Sequence, residues 1–127
     1  MKVLTLVARI LLGLGFLIFG LNAFLHFMGG SGSMPPGVAG QFAKALTDSH
    51  FDQAVAVFEV AGAILLLVNR YVPLALVLLG PVLVNILLFH ALMMPASILP
   101  GLVFTILWLI IFLAHRSAFT GIFQAKA

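Results

Sequence analysis

The sequence contains no cysteine and very few charged side chains, and each scarcity excludes a class of protein. Without cysteine, the chain forms no disulfide, attaches no c-type haem and offers no thiolate to an iron–sulfur cluster. Charged residues make up 7% of the 127 residues, whereas a soluble domain carries roughly 25%. So few charges cannot cover a water-exposed surface, so a water-soluble globular protein is excluded.

Acidic residues are scarcer still, with three Asp and Glu against six Lys and Arg. The basic residues are scattered singly rather than in a run, so the net charge of +3 is not the basic patch of a nucleic-acid-binding protein. We expect lipid, and no nucleic acid, as the surroundings of the chain.

Apolar residues dominate, at 64% of the chain with a mean hydropathy of +1.30. Four apolar segments, at 3–27, 51–68, 72–93 and 98–113, approach the ~20 residues that cross hydrocarbon as a helix. A signal peptide is the alternative for the first segment, but the run exceeds a typical h-region and we favour a retained helix. The sequence therefore predicts one all-α domain over residues 1–127, a four-transmembrane-helix up-down bundle.

The connections differ in length. Residues 29–37, GGSGSMPPG, exclude regular structure. In residues 38–50 the apolar positions Val38, Phe42 and Leu46 recur with helical spacing, which predicts a short amphipathic helix at the membrane interface. The first and second spans are thus joined by a longer, partly amphipathic connection. Ser97 is expected to cap the fourth span.

The basic residues also predict orientation. Cytoplasmic loops of membrane proteins carry an excess of Lys and Arg. With the N-terminus inside, only Lys44 lies outside, and the C-terminus is also cytoplasmic. The five basic residues on the inner side are then Lys2, Arg9, Arg70, Arg116 and Lys126.

Two charges lie within the spans. Helical geometry places each charge on a stripe along one side of its helix, and each stripe includes small residues. The stripe of the first span is Arg9, Gly13, Phe16, Gly20, Ala23 and Phe27. The stripe of the second span is Asp52, Ala56, Glu59, Ala63 and Arg70. With Arg9 about 10 Å and Glu59 about 16 Å from the inner boundary, we expect a buried Arg9–Glu59 ion pair. In one alternative Glu59 carries protons or contacts a ligand; in another Arg9 snorkels to the interface and Glu59 is protonated.

A second polar set lies toward the predicted outer side. Its ligand-binding candidates are Asn22, His26, Asn85 and His90, with His50 and Asp52 as secondary candidates. We consider three interpretations: interfacial hydrogen-bonded side chains, a pocket for a headgroup such as that of a quinone, and a metal or haem site. No spacing demands a metal, and we assign no metal ligand and no catalytic residue.

The chain resembles the DoxX family of small four-helix membrane proteins, with its DoxX-like and DoxD relatives. The resemblance is carried by ARILLGLGFLIFGLNAF, with Arg9, Gly13 and Gly20, and by Glu59 with Gly62, the Arg70–Pro73 turn, and Asn85 to His90. It implies quinone-linked sulfur oxidation, a role in membrane oxidoreductase complexes that answer oxidative stress, or chaperone-like receptor assembly.

Three functional hypotheses follow. The first is an accessory, non-catalytic subunit of a quinone-linked oxidoreductase, with a quinone as the expected cofactor and a redox protein as partner. The second is a membrane scaffold or assembly factor, for which the apolar fourth span offers a surface for a partner or a second copy in a homo-oligomer. The third, a small transporter or proton pathway, has the least support because four short spans enclose little volume.

Overall fold

The computed structural model describes residues 2–26 and 35–125, and within these ranges every regular element is a helix. The α-helices are α1 (Lys2–Leu25), α2 (Gly37–Asp48), α3 (Phe51–Val68), α4 (Val72–Met93) and α5 (Leu99–Ala114). Two 3-10 helices, Pro95–Ser97 and Arg116–Phe123, precede and follow α5. The all-helical class expected from the sequence is confirmed. Phe27 and Lys126, which the sequence analysis used, lie outside the described residues.

Three helices, α1, α3 and α4, are long and apolar enough to cross a membrane. The fourth predicted span is α5, whose 16 residues rise only about 24 Å. It is joined to the C-terminal 3-10 helix by a bend of 86°, and the pair counts as a fourth span only when taken together. The described chain thus has three to four candidate membrane-spanning helices.

The helices pack in a closed order around one core. α1 packs against α3 and α5, and α4 packs against the same two helices, whereas α1 and α4 make at most marginal contact. α1 and α4 therefore occupy opposite corners. The largest fully buried side chains fill the centre between them, and these are Leu12, Phe16, Leu66, Leu76, Leu79 and Ile111.

The connection between α3 and α4 is a tight turn that satisfies the end of α3. Asn69 adopts the left-handed conformation, its N–H donates to the Leu66 carbonyl, and the N–H of Arg70 donates to the Leu65 carbonyl. This is the Schellman arrangement, in which Asn is tolerated because its short side chain fits the left-handed region. The predicted end of the second span at residue 68 is the end of α3.

Helix α2 is the amphipathic helix predicted between the first two spans. Val38 and Phe42 are exposed, while Ala39 and Gly40 are buried against the bundle. On its polar side the Lys44 ammonium donates to the Asp48 carboxylate at 2.5 Å, and this hydrogen bond and the nearby negative charge raise the pKa of Lys44. α2 thus has an apolar side, on which Phe42 packs against Phe89 of α4, and a charged side.

The entry into α5 differs from the prediction. Ser97 lies in the 3-10 helix Pro95–Ser97, Ile98 is the N-cap, and no side chain caps the helix. A serine caps through its hydroxyl only from an extended backbone, whereas Ile98 already has right-handed helical angles. The expectation of a Ser97 cap was wrong.

Candidate functional site

The two small-residue stripes predicted for the first and second spans face each other between α1 and α3. A Cβ atom added to Gly13 would lie 3.4 Å from the Ala63 carbonyl oxygen, and one added to Gly20 would lie 3.4 Å from that of Ala56. As numbers rise along α1 they fall along α3, so the two helices run in opposite directions. The closest contacts are to side chains, since the added Cβ would lie 2.8 Å from Leu67 Cγ at Gly13 and 2.7 Å from Val60 Cγ2 at Gly20, so glycine permits this close packing.

Arg9 caps the C-terminal end of α3. Its guanidinium Nη1 donates to the Leu66 carbonyl, and the same Nη1 lies 3.4 Å from the Leu67 carbonyl oxygen. The last four carbonyls of a helix lack helical partners, and a cation at this end also interacts favourably with the helix dipole. Arg9 is half-buried and joins α1 to α3 through charge-assisted bonds to the backbone.

The structure does not bring Arg9 and Glu59 together as the sequence analysis expected. Among residues 2–26 and 35–125 the ion pair is Lys44–Asp48, and Arg9 bonds to backbone instead. Glu59 precedes Leu66 by seven residues, about 10 Å along the axis. Helical side chains lean toward the N-terminus of their own helix, so in oppositely running helices Arg9 and Glu59 lean apart. The sequence estimate used depth alone and neglected this direction.

Glu59 lies beside Gly20 of α1. A Cβ atom on Gly20 would be 3.3 Å from the Glu59 Cβ, which places the glutamate on the α1-facing side of α3 as the stripe predicted. The side chain is half-buried, and its carboxyl group makes no hydrogen bond or ion pair within the described part of the chain. Glu59 is thus close to α1 but does not form an ion pair with Arg9.

The two α1 candidates of the outer set lie at the end of the helix. His26 is exposed, adopts the left-handed conformation with φ of 53°, and its N–H donates to the Asn22 carbonyl at 2.8 Å. This is the αL motif that closes a helix C-terminus. Asn22 is half-buried one turn earlier. Backbone geometry gives His26 a structural role at this position.

The two α4 candidates bond to carbonyls of their own helix. The Asn85 amide donates to the Pro81 carbonyl at 2.9 Å, and the His90 Nδ1 donates to the Ile86 carbonyl at 2.8 Å. The His90 ring also packs edge-on against Phe89. Because α1 and α4 occupy opposite corners, the predicted four-residue set is divided between two sides of the bundle rather than gathered around one pocket.

The secondary candidates lie in the turn between α2 and α3. His50 is exposed and left-handed with φ of 62°, and the Asp52 carboxylate accepts from the Gln53 N–H at 2.8 Å. Among the residues that the structure describes, no group of three His, Cys, Asp or Glu side chains lies close enough to hold a metal ion. The metal alternative therefore has no ligand set in this region.

Trp108 of α5 packs within the bundle. Its indole N–H donates to the Leu76 carbonyl of α4 at 3.0 Å, and its ring stacks on Phe112 at 5.3 Å. The hydrogen bond joins α5 to α4, and α1 meets α5 where Phe104 packs against Phe16. These contacts hold the helix pairs that enclose the core.

One basic cavity was missed by the sequence analysis. It lies at the N-terminal end of α1, has a volume of about 430 Å³, and is lined by polar or basic groups from three elements, including Lys2, Thr5, Arg9, Asn69 and His115. The sequence did show these basic residues gathered at one end, but that signal was used only for orientation. His115, which follows the end of α5, is half-buried beside the cavity.

Comparison with known proteins gives the family. The family model described as DoxX matches residues 4–91, which is more than half of the chain and runs from α1 to near the end of α4. No curated protein and no solved structure matches the chain. The matched region contains Arg9, Glu59 and the close α1–α3 contact, while α5 lies beyond it. The chain is a multi-pass membrane protein that belongs to the DoxX family.

Proposed function

We propose that this protein is a non-catalytic accessory subunit of a quinone-linked membrane oxidoreductase. In this proposal it is a four-span up-down bundle with both termini in the cytoplasm, and the redox chemistry belongs to a partner protein. Family membership supports the redox association, since resemblance to the DoxX family implies a role in quinone-linked or oxidoreductase chemistry. The geometry supports the accessory role.

The observation that carries the proposal is the use of polar side chains within the apolar helices. Arg9, Asn85, His90, Thr105 and Trp108 all bond to backbone carbonyls. Such bonds satisfy polar groups where water is absent, and those of Arg9 and Trp108 also join one helix to another. These bonds direct the side chains at the backbone rather than at a substrate. The polar groups are arranged as in a structural protein.

The quinone part of the proposal concerns contact at the surface rather than an enclosed pocket. Asn22 and His26 on one side of the bundle and Asn85 and His90 on the other are separate contact points for a headgroup that a partner also holds. A headgroup would have to compete with the Pro81 and Ile86 carbonyls for the Asn85 and His90 side chains. We therefore expect weak quinone binding by the isolated protein.

The test compares the isolated protein with membranes that lack it. We expect purified protein to reduce no quinone with any supplied donor, while membranes from a deletion strain lose part of their quinone-reducing activity and regain it with the wild-type chain. Turnover by the purified protein would contradict the accessory role. Unchanged activity in deletion membranes would contradict the redox association.

A membrane scaffold is the second candidate, and the apolar face of α5 favours it. This face lies outside the DoxX match and exposes side chains at helical spacing, namely Leu99, Leu102, Ile106, Leu109 and Leu113. The two candidates differ in what deletion does to the partner. An accessory subunit leaves an assembled but inactive oxidoreductase, whereas a scaffold leaves the oxidoreductase subunits unassembled.

A variant pair tests the α5 surface directly. Ile106→Trp adds bulk to the exposed face of α5, and Leu14→Trp adds the same bulk to an exposed position on α1. If a partner docks on α5, only Ile106→Trp lowers the amount of the partner complex on a native gel. An unchanged amount of complex with Ile106→Trp would contradict docking on α5, and equal losses with both variants would show a general effect of the added bulk.

A further inference from the structure

The basic cavity at the N-terminal end of α1 has an opening and a size that suit a small anionic group. Its volume is about 430 Å³. Lys2 and Thr5 line it from α1, Asn69 lies on the α3–α4 turn, and His115 follows α5. Three separate parts of the chain therefore converge on this space, which is more than the exposed end of one helix.

The charge of the cavity has one sign. Lys2 and Arg9 are its basic side chains, and no carboxylate side chain lines the space. The acidic side chains of the whole chain are Asp48, Asp52 and Glu59, and none of them lies near residues 2–9 of α1 in the antiparallel register. A cavity with this field attracts anions and repels cations.

The hydrogen-bond donors fit a group with several acceptor oxygens. The guanidinium of Arg9 uses Nη1 on α3 carbonyls, and Nη2 and Nε lie outside those two bonds. His115 donates its Nδ1–H to the Ile111 carbonyl at 3.0 Å, so Nε2 of the neutral ring accepts rather than donates, and the ring contributes surface to the lining. The Lys2 ammonium and the Thr5 hydroxyl, which line the cavity, add donors. A phosphate group has the oxygens to accept them.

The surroundings of the cavity indicate where the phosphate comes from. Leu6 lines the cavity and is 45% exposed, and the exposed Ile10 and Leu14 continue from it along α1. Polar donors at a helix end above a run of exposed apolar side chains match a phospholipid, whose acyl chain lies beside its headgroup. Basic pockets between membrane helices bind anionic headgroups by this arrangement.

We propose that this cavity binds the phosphate of an anionic phospholipid. Lys2 and Arg9 supply the charge, Thr5 supplies a further donor, and α1 supplies the apolar surface for the acyl chain. The proposal goes beyond the accessory role, since lipid binding here requires no quinone and no redox partner.

The experiment measures lipid binding to the full-length protein purified in mild detergent. Phosphatidylglycerol, phosphatidylcholine or inorganic phosphate is added, and native mass spectrometry and thermal unfolding report binding. We expect one tightly retained phosphatidylglycerol, and stabilisation by it that exceeds stabilisation by phosphatidylcholine. Lys2→Gln should weaken the binding about five-fold, since a juxtamembrane charge contributes about 1 kcal/mol.

The control variant is Arg70→Gln, which removes one positive charge from the same end of the molecule at a position outside the cavity lining. Lys2 is exposed, so Lys2→Gln should fold normally, and His115→Gln is a second variant from another part of the lining. If Arg70→Gln weakened lipid binding as much as Lys2→Gln, the proposal of a cavity site would be wrong, and diffuse surface charge would account for the binding. If inorganic phosphate stabilised the protein as well as the lipid does, and with the same dependence on Lys2, the bound group would be free phosphate rather than a phospholipid headgroup.

Discussion

Substitution of Gly20 by alanine tests whether close helix approach holds α1 against α3. A Cβ atom at this position would lie 2.7 Å from Val60 Cγ2 and 3.3 Å from Glu59 Cβ. Val60 is β-branched, so its χ1 angle is restricted in a helix and the methyl group cannot easily rotate away. The two helices must therefore separate to accept the alanine.

The matched control is Gly80→Ala in α4. A Cβ atom there would lie 3.6 Å from the Trp108 ring, which is ordinary van der Waals contact. Both substitutions gain helix propensity, up to about 1 kcal/mol, but the gain is smaller at Gly80, because a Cβ atom before Pro81 disfavours helical angles. Overpacking costs about 1–3 kcal/mol and applies only at Gly20. We expect Gly20→Ala to be less stable than Gly80→Ala by about 1–2 kcal/mol.

The assay is reversible unfolding in mixed micelles, with helix content followed by circular dichroism. A double-mutant cycle with Val60→Ala identifies the contact, because removing the Val60 methyl groups should restore part of the stability that Gly20→Ala loses. If Gly20→Ala and Gly80→Ala unfold at the same denaturant fraction, the close approach contributes nothing to stability. The cycle would then show no coupling between positions 20 and 60.

Three further predictions use the same unfolding assay. Arg9→Gln should destabilise by about 2 kcal/mol, because charge-assisted bonds to the end of α3 are lost, and a stability equal to wild type would contradict the capping role. Trp108→Phe should cost about 1 kcal/mol through loss of the hydrogen bond to Leu76, while an unchanged midpoint would show that the bond is not formed in micelles. His50→Gly should stabilise by about 1 kcal/mol and His50→Val should destabilise, since only glycine adopts the left-handed conformation freely; the opposite order would rule out a backbone role.

Hydropathy and turn residues predicted much of the fold. The helices at Phe51–Val68 and Val72–Met93 begin and end where the apolar segments do, because apolar length and turn chemistry are local properties of the sequence. The amphipathic helix after the first span was also predicted from its spacing. The cap of α5 was not, since the 3-10 helix before it depends on how the chain leaves α4.

The candidate site was predicted less well, for two geometric reasons. The Arg9–Glu59 pair was inferred from depth, and the direction of helical side chains, which separates the two, was not considered. The outer set of Asn22, His26, Asn85 and His90 was predicted to form one site because these residues lie at similar depth on different helices. Depth does not tell which helices are neighbours, and α1 with Asn22 turned out to lie across the bundle from α4 with Asn85.

The length of α5 has a consequence for the membrane around the protein. Its 16 residues provide about 24 Å of helix against a hydrocarbon thickness of about 30 Å, and the 86° bend that follows prevents the chain from continuing across. In the proposed four-span bundle, lipid beside α5 would have to thin, at a cost of fractions of a kcal/mol per ångström of hydrophobic mismatch. That cost would fall where the face met another short helix, so in the proposed bundle mismatch favours contact with a short-spanning protein on this side.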